Sequence, residues 1–425
     1  MARRKLGPRL LSRHRARTRT GRNGQAVMLL ALLGGLLVWV GPQPAEMPAG
    51  PVCIAFVGDL MAHCTQSSGA QEAAGGTGYD FTAAFDRVRG LLSEADLAVG
   101  NLETPLDGRQ EGYCFPRFSA PTQYADALLG AGFDVLLLAN NHALDRGEDG
   151  LRRTIEAVRA RRMLAVGAAP EAAQASIEVA GRKVAVLGFT RFVNLRCRGT
   201  TCPLLLHDRE SLDAAAARVR ELSSTHDIVV VLLHWMSEDR LRPSREEREQ
   251  AAALVAAGAQ AVVGSHSHVL GPARCLSADS EGDDEPAPTA GGMLPAQAPP
   301  AASTTGTPLF VEAACDPAAP SDAYVRYSLG NFVHAMRRFP TKLGGIDTVC
   351  FAPGKDGRHR VVSARFTPTM TARNGSRPRS FQAVPLAELE QACQGDAAAR
   401  RKAGVDCDEV HQYRKFLDKQ PGMVP

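Results

Sequence analysis

Short apolar runs alternate along this chain with stretches whose apolar residues recur at three- and four-residue spacing, which predicts strands and helices in turn. The runs VCIAFVGD, DLAVGNLE, DVLLLANNH, DIVVVLLH, AVVGSHSH and VRYSLGNF are rich in Val, Ile and Leu, as strands buried on both faces are. Between them, EDGLRRTIEAVRARRM and SLDAAAARVRELSSTH carry the helical period. Strands alternating with helices predict an α/β layering. Each run stops at polar residues: Asp59; Asn101 and Glu103; Asn141 and His142; His234; His266 and His268; Asn331. Ligands of open α/β sheets gather beyond the carboxyl ends of strands, so these termini are expected to converge on one crevice.

The pattern fails in two places. Residues 277–307 are Ala, Pro, Thr and acid without periodicity, which predicts a disordered insertion. Beyond Pro368 the pattern fades into a charged tail, 369–425, with weak helix signals. One catalytic domain over 52–368, interrupted by the insertion, is therefore expected.

Composition changes the picture mainly at the amino terminus. The formal net charge is +4, but residues 1–23 hold eight Arg and one Lys with no acid. The remaining 40 basic against 45 acidic side chains (49 − 9 against 45) give the body −5, with no nucleic-acid footprint. A basic head, 1–25, thus precedes an uncharged apolar segment, 26–41, which reads as a targeting segment. Its basic flank favours retention, and no small-x-small cleavage site follows, so an N-terminal membrane helix is expected. That predicts a membrane-anchored protein with an extracytoplasmic catalytic domain; a cleaved signal would export the same body. Ten cysteines in an exported body permit disulfides, and Cys197–Cys202 and Cys393–Cys407 are the expected pairs.

The residues at the strand ends are those a metal site needs. His266 and His268, two apart on an extended strand, would point to the same side and could serve neighbouring ions. Asp59 offers an anionic oxygen, Glu103 a carboxylate able to bridge two cations, Asn141 a neutral oxygen, and His234 completes the set. His63, four residues after Asp59, is either a further ligand or a loop residue. His142, beside Asn141, suits proton donation better than ligation, and Asp145 is near enough to fix its tautomer. Asn101, Asn140, Arg146, Ser328 and Asn331 are expected around the pocket. Helix capping would explain Asp59, Asn140 and Ser265 without a metal. It does not explain four strand-end histidines.

The motifs GDLMAH, GNLETPL, YCFPRFSAP, LLLANNHALDRGEDGL, VLLHWMSE, VVGSHSHVLG and YSLGNFV occur in this order. Together they resemble the capsule-synthesis CapA family, the poly-γ-glutamate biosynthesis domain, over roughly residues 52–335. That family is in turn similar to calcineurin-like metallophosphoesterases. The resemblance implies a four-layer α/β/β/α sandwich of the metallo-dependent phosphatase type and a pair of divalent ions, Mn, Fe or Zn. Asp59 matches the first metal Asp, Asn141 and His142 the Asn-His pair, His234 the lone His, and His266 with His268 the final GHxH element. Glu103 stands near the bridging Asp. The chain departs from the pattern where Leu60 and Met61 follow Asp59, where GNLE replaces GDxxD, and where Ser267 replaces the family's usual Pro. Two ions, one or none stay open on that ground.

The resemblance also implies partners: an anionic polymer such as poly-γ-glutamate, the membrane, and amide-ligase and membrane subunits of a synthesis complex. No nucleotide-binding loop is visible, so ATP-driven ligation would fall to such subunits. Three functions remain: a metal-dependent hydrolase in polymer synthesis or export, a metallophosphoesterase acting on nucleotides or sugar phosphates, and a non-catalytic polymer-binding scaffold.

Overall fold

Val52–Leu60 (β1) is buried along nearly its whole length because it runs through the middle of an eight-stranded sheet. The computed structural model describes residues 50–108, 114–170, 172–235, 237–276, 321–373, 380–395 and 406–420. On one side of β1 lie β2 (Leu97–Leu102), β3 (Val135–Leu137) and β4 (Leu164–Val166), all parallel. On the other side, β14 (Leu343–Pro353), β15 (His359–Arg373) and β16 (Phe381–Pro385) continue the sheet antiparallel. The short β13 (Asn331–Val333) pairs parallel with the last residues of β1.

A second, six-stranded sheet faces the first. It consists of β6 (Gln174–Val179), β7 (Arg182–Thr190), β9 (Ile228–His234), β10 (Ala261–Ser265), β11 (Ala273–Leu276) and β12 (Ala323–Arg326). A two-strand ribbon, β5 (Ala168–Ala169) with β8 (Cys202–Pro203), stands apart from both.

Three apolar cores hold four layers together. Ile54, Phe56 and Val99 from one sheet meet Val186, Val230 and Val263 from the other in the central core. α1 (Cys64–Ala73), α2 (Arg89–Ser93), α3 (Gln123–Ala131) and α4 (Gly147–Ala160) cover the outer face of the first sheet. α5 (Arg209–Ser223) and α6 (Arg245–Ala256) cover the second. The helical period foreseen for EDGLRRTIEAVRARRM is realised in α4, which buries Leu151, Ile155 and Val158. α5 and α6 begin at capping boxes, where Asp208 and Ser244 accept the backbone N–H of Ser211 and Glu247. Each such cap is worth about 1 kcal/mol.

The sheets are also clamped by charge. Arg326 on β12 donates Nε and Nη2 to Asp347 on β14 at 2.7 and 2.8 Å, and the Tyr324 hydroxyl donates to the same carboxylate at 2.6 Å. All three residues are buried.

Several expectations need correction. The run VRYSLGNF is two strands rather than one: β12 belongs to the second sheet and β13 to the first. The expected tail after Pro368 is part of the fold, since β15 runs through that residue and β16, α7 (Leu386–Gln394) and α8 (Cys407–Asp418) follow. Val410, Tyr413 and Leu417 of α8 enter the central core. This strand signal is weak because FTPTMTAR alternates Thr with apolar residues instead of forming a continuous run, although Thr369 and Thr371 are buried. The domain boundary at 368 therefore cuts through a strand.

The head 1–25, the apolar segment 26–41 and the insertion 277–307 lie outside the described residues. Among the described residues no helix is long and apolar enough to cross a membrane, which corrects the expectation of a membrane-anchored body carried by a spanning helix. Both foreseen disulfides are present, and Cys53–Cys350 joins β1 to β14 as well.

Candidate metal centre

Asp59 reaches the site because β1 changes partner beneath it. Up to Val57 the strand pairs with β14; from Asp59 it pairs with β13, and Asp59 N–H donates to the Gly330 carbonyl at 2.9 Å. A Cβ at Gly58 would lie 1.9 Å from that carbonyl oxygen, so only glycine permits the exchange. Gly264 on β10 likewise admits a close backbone, since a Cβ there would lie 2.0 Å from the Tyr327 carbonyl oxygen.

Asp59 is fully buried. Its Oδ1 accepts from Asn101 Nδ2 at 2.8 Å, and its Oδ2 lies 3.1 Å from His268 Nδ1. Glu103, just past β2, is equally buried. Its Oε2 lies 3.4 Å from Asn101 Nδ2, while its Oε1 has no hydrogen-bond partner. His234 ends β9; its Nε2 lies 2.9 Å from Asn141 Oδ1 and its Nδ1 3.1 Å from Ser265 Oγ.

His266 and His268 meet, but not by the expected geometry. β10 ends at Ser265, and the two histidines adopt positive φ of 92° and 57°. A left-handed backbone, rather than strand alternation, turns both rings into the site, with centroids 5.8 Å apart. His266 also packs 4.6 Å from the His234 ring, and its Nδ1 has no hydrogen-bond partner. Left-handed backbone at a non-glycine residue carries strain of order 1–3 kcal/mol, a feature that clusters at functional sites.

Two groups in this cluster have ligand atoms all within 4.8 Å of one another: Glu103, His234 and His266, and Asp59, Glu103 and His268. Glu103 belongs to both. The donor set, imidazole nitrogens with carboxylate oxygens, suits Zn, Mn or Fe. The partnerless Glu103 Oε1 and His266 Nδ1 are buried atoms that a cation would satisfy, so the residues fit a divalent ion.

Burial shapes the protonation of these groups. It pushes Glu103 well above the usual carboxylate range, and the Asp59 carboxylate adds to the effect. Burial and the neighbouring imidazoles hold His234 well below the usual value. Burial and then His268 push His266 down to about 3. Burial pulls on His268 too, but the bonded Asp59 carboxylate outweighs it and leaves this ring raised. Neutral imidazole is the ligating form, and a bound cation would offset the crowding of the two carboxylates.

Beside this cluster His142 Nδ1 lies 2.7 Å from Asp145 Oδ2, which also accepts the Phe118 N–H at 2.7 Å. The pair fixes the imidazole with Nε2 free to face away from Asp145.

The other expected residues serve as supports or stand aside. Asn331 Oδ1 lies 3.1 Å from His268 Nδ1, and Asn140 Nδ2 donates to the Leu102 carbonyl at 2.8 Å and to Asn101 Oδ1 at 3.3 Å. Ser328 Oγ accepts from Ser267 Oγ at 2.9 Å. His63 lies outside both ligand groups: its Nδ1 lies 3.1 Å from Gln66 Oε1 and accepts from Ala335 N–H at 3.3 Å. Burial lowers this ring to about 4. Arg146 donates to the Arg117 carbonyl at 3.2 Å.

Sequence reasoning passed over three contacts. The Phe118 ring packs 4.5 Å from His142, Phe192 packs 5.1 Å from His266, and Asn194 Nδ2 comes within 3.4 Å of His142 Nδ1. Phe192 and Asn194 follow the end of β7, a strand terminus like the others that was overlooked because no ionisable ligand marks it. Asn101, expected only at the pocket wall, aims its Nδ2 into the centre, 2.8 Å from Asp59 Oδ1, 3.1 Å from His234 Nδ1 and 3.4 Å from Glu103 Oε2.

Residues 53–336 match the family model described as bacterial capsule synthesis protein PGA_cap. The chain is 30% identical over 263 residues to a protein named capsule biosynthesis protein CapA from Bacillus anthracis, covering 57% of this chain and 62% of that one. It is 28% identical over 267 residues to a protein named PGA biosynthesis protein CapA from Bacillus subtilis (strain 168), covering 58% and 66%. It thus spans less than two thirds of either relative. Among solved structures, a putative 5'-nucleotidase from Staphylococcus aureus in complex with alpha-ketoglutarate aligns at 12% identity and a TM-score of 0.41, covering 86% of this chain and 58% of that one.

Proposed function

This chain belongs to the bacterial capsule synthesis family PGA_cap, and on that premise we propose that it acts in the synthesis or export of a poly-γ-glutamate-type polymer through a metal-dependent hydrolytic site. The observation that carries the hydrolytic part is the shared Glu103, common to two buried ligand groups and holding an oxygen with no hydrogen-bond partner. Asp59, Glu103, His234, His266 and His268 would hold the metal, with Asn141 beside His234. A divalent ion held there would supply Lewis acidity and lower the pKa of water toward neutrality.

The protein's own groups do the remaining work. Asp145 holds His142 in one tautomer and orientation, so that Nε2 can deliver a proton to the leaving group. Asn101 and Asn331 orient Asp59 and His268. Phe118 and Phe192 pack apolar surface against His142 and His266.

The test is incubation of the purified chain with γ-linked glutamate polymer and added Mn. Shortened polymer, lost in Asp59→Ala, is the expected result. Cleavage of an aryl phosphate with no effect on polymer would instead assign a phosphoesterase. Polymer binding that survives Asp59→Ala, without cleavage of either substrate, would leave a scaffold.

A further inference from the structure

Cys64 and Cys114 are the free cysteines among the described residues. Cys53, Cys197, Cys202, Cys275, Cys350, Cys393 and Cys407 are already in disulfides. Cys64 is the first residue of α1, immediately after His63. The Cys114 thiol lies within hydrogen-bonding reach of Cys64, an interaction that, with burial, raises it to about 11.

Ring packing brings the same two stretches together independently. Phe118, four residues after Cys114, stands edge-on to His63 with centroids 5.0 Å apart. The same ring packs on His142, and its backbone N–H is bonded to Asp145. The segment from Cys114 to Phe118 therefore bridges the start of α1 and the His142–Asp145 pair. Cys114 through Arg117 are exposed, so an oxidant can reach the thiol, while Phe118 is buried.

We propose that Cys64 and Cys114 close to a disulfide by exchange with an external disulfide, and that this bond fastens the Cys114–Phe118 segment across His63 and His142. One cysteine, as thiolate, attacks the oxidant's S–S bond, forming a mixed disulfide and releasing one oxidant thiol. The second cysteine attacks the protein sulfur of that mixed disulfide and releases the other oxidant thiol. The protein loses two hydrogens, and its two electrons reduce the oxidant to two thiols. The inference does not depend on the reaction proposed for the metal centre.

The experiment uses the full chain, treated with oxidised glutathione and mapped by mass spectrometry without reduction, alongside thiol titration and limited trypsin digestion. The expected result is loss of two titratable thiols, joined peptides containing Cys64 and Cys114, and slower cleavage after Arg117. In Cys114→Ser, an exposed substitution, the joined peptide is absent and Cys64 stays titratable or carries glutathione. Two thiols that persist in excess oxidant, or that each carry glutathione in unlinked peptides, would overturn the pairing. A crosslink that leaves cleavage after Arg117 unchanged would overturn the fastening.

Discussion

Glu103 Oε1 stands 3.7 Å from His234 Nε2 and 4.0 Å from His268 Nε2 without a hydrogen bond to either. Leaving a buried polar atom unpaired costs about 1–3 kcal/mol, and more for a charged group. Glu103 Oε1 lies just too far from either imidazole to bond it directly, and the space the three side chains surround is arranged for a cation. Burial favours the protonated form of Glu103, so metal binding should expel a proton from it. Titration calorimetry in buffers of different ionisation heat should show this release in the native chain and a smaller one in Glu103→Gln. Equal release in both would place the proton elsewhere.

The contact between Asp145 and His142 predicts a separation of chemistry from metal binding. Asp145→Asn leaves the candidate ligands intact but removes the carboxylate that fixes the imidazole. On whichever substrate is cleaved, kcat should fall by roughly 10²–10⁴-fold, as loss of a positioned acid does, with metal content unchanged. His142→Ala should fall as far. Full activity in Asp145→Asn would remove His142 from the proton-transfer role.

Between the sheets, Asp347→Ala would strand a buried guanidinium. Breaking one partner of such a pair costs about 3–5 kcal/mol. The unfolding free energy from denaturant titration should fall by that amount and the midpoint with it, while Arg326→Met with Asp347→Leu should recover most of the loss. A midpoint unchanged in Asp347→Ala would show that the clamp contributes nothing.

The buried histidines set the pH dependence of the metal-free chain. Burial keeps His334 well below its usual value, with His63 at about 4 and His266 at about 3. The unfolded chain binds protons on these rings below about pH 6.5 and the folded chain does not. Stability is therefore full above about pH 6.5 and drains as the pH falls toward the folded values. Glu103 and His268 oppose this: their folded values are raised, so their contributions decline as pH rises. The melting temperature should be lower at pH 5 than at pH 7, and less so in His334→Asn, where the Asn oxygen can keep the bond from Met336 N–H. Equal melting temperatures at the two pH values would contradict the histidine account.

The parallel strands and their polar termini were legible because doubly buried strands read as unbroken Val, Ile and Leu, and because histidine is conspicuous at their ends. β14 to β16 were not: β14 is interrupted by two glycines and Asp347, β15 mixes Thr, Arg and Ser with its apolar residues, and β16 is only five residues long, so none reads as an unbroken Val, Ile and Leu run. The convergence of His266 and His268 was foreseen on the wrong backbone: a two-residue spacing gives no sign of a left-handed turn. Phe118, Phe192 and Asn194 escaped because packing against an imidazole leaves no motif. Cys53–Cys350, which joins strands from opposite ends of the chain, could be paired only once β1 and β14 were adjacent.

Anomalous diffraction from crystals soaked in Mn, collected where Mn scatters anomalously, tests the central claim most directly. A peak within coordination distance of Glu103 and of His234 and His266, or of Asp59 and His268, is the predicted result. Fully ordered side chains with no peak there at saturating Mn, and Glu103 Oε1 bonded to a protein donor instead, would contradict it.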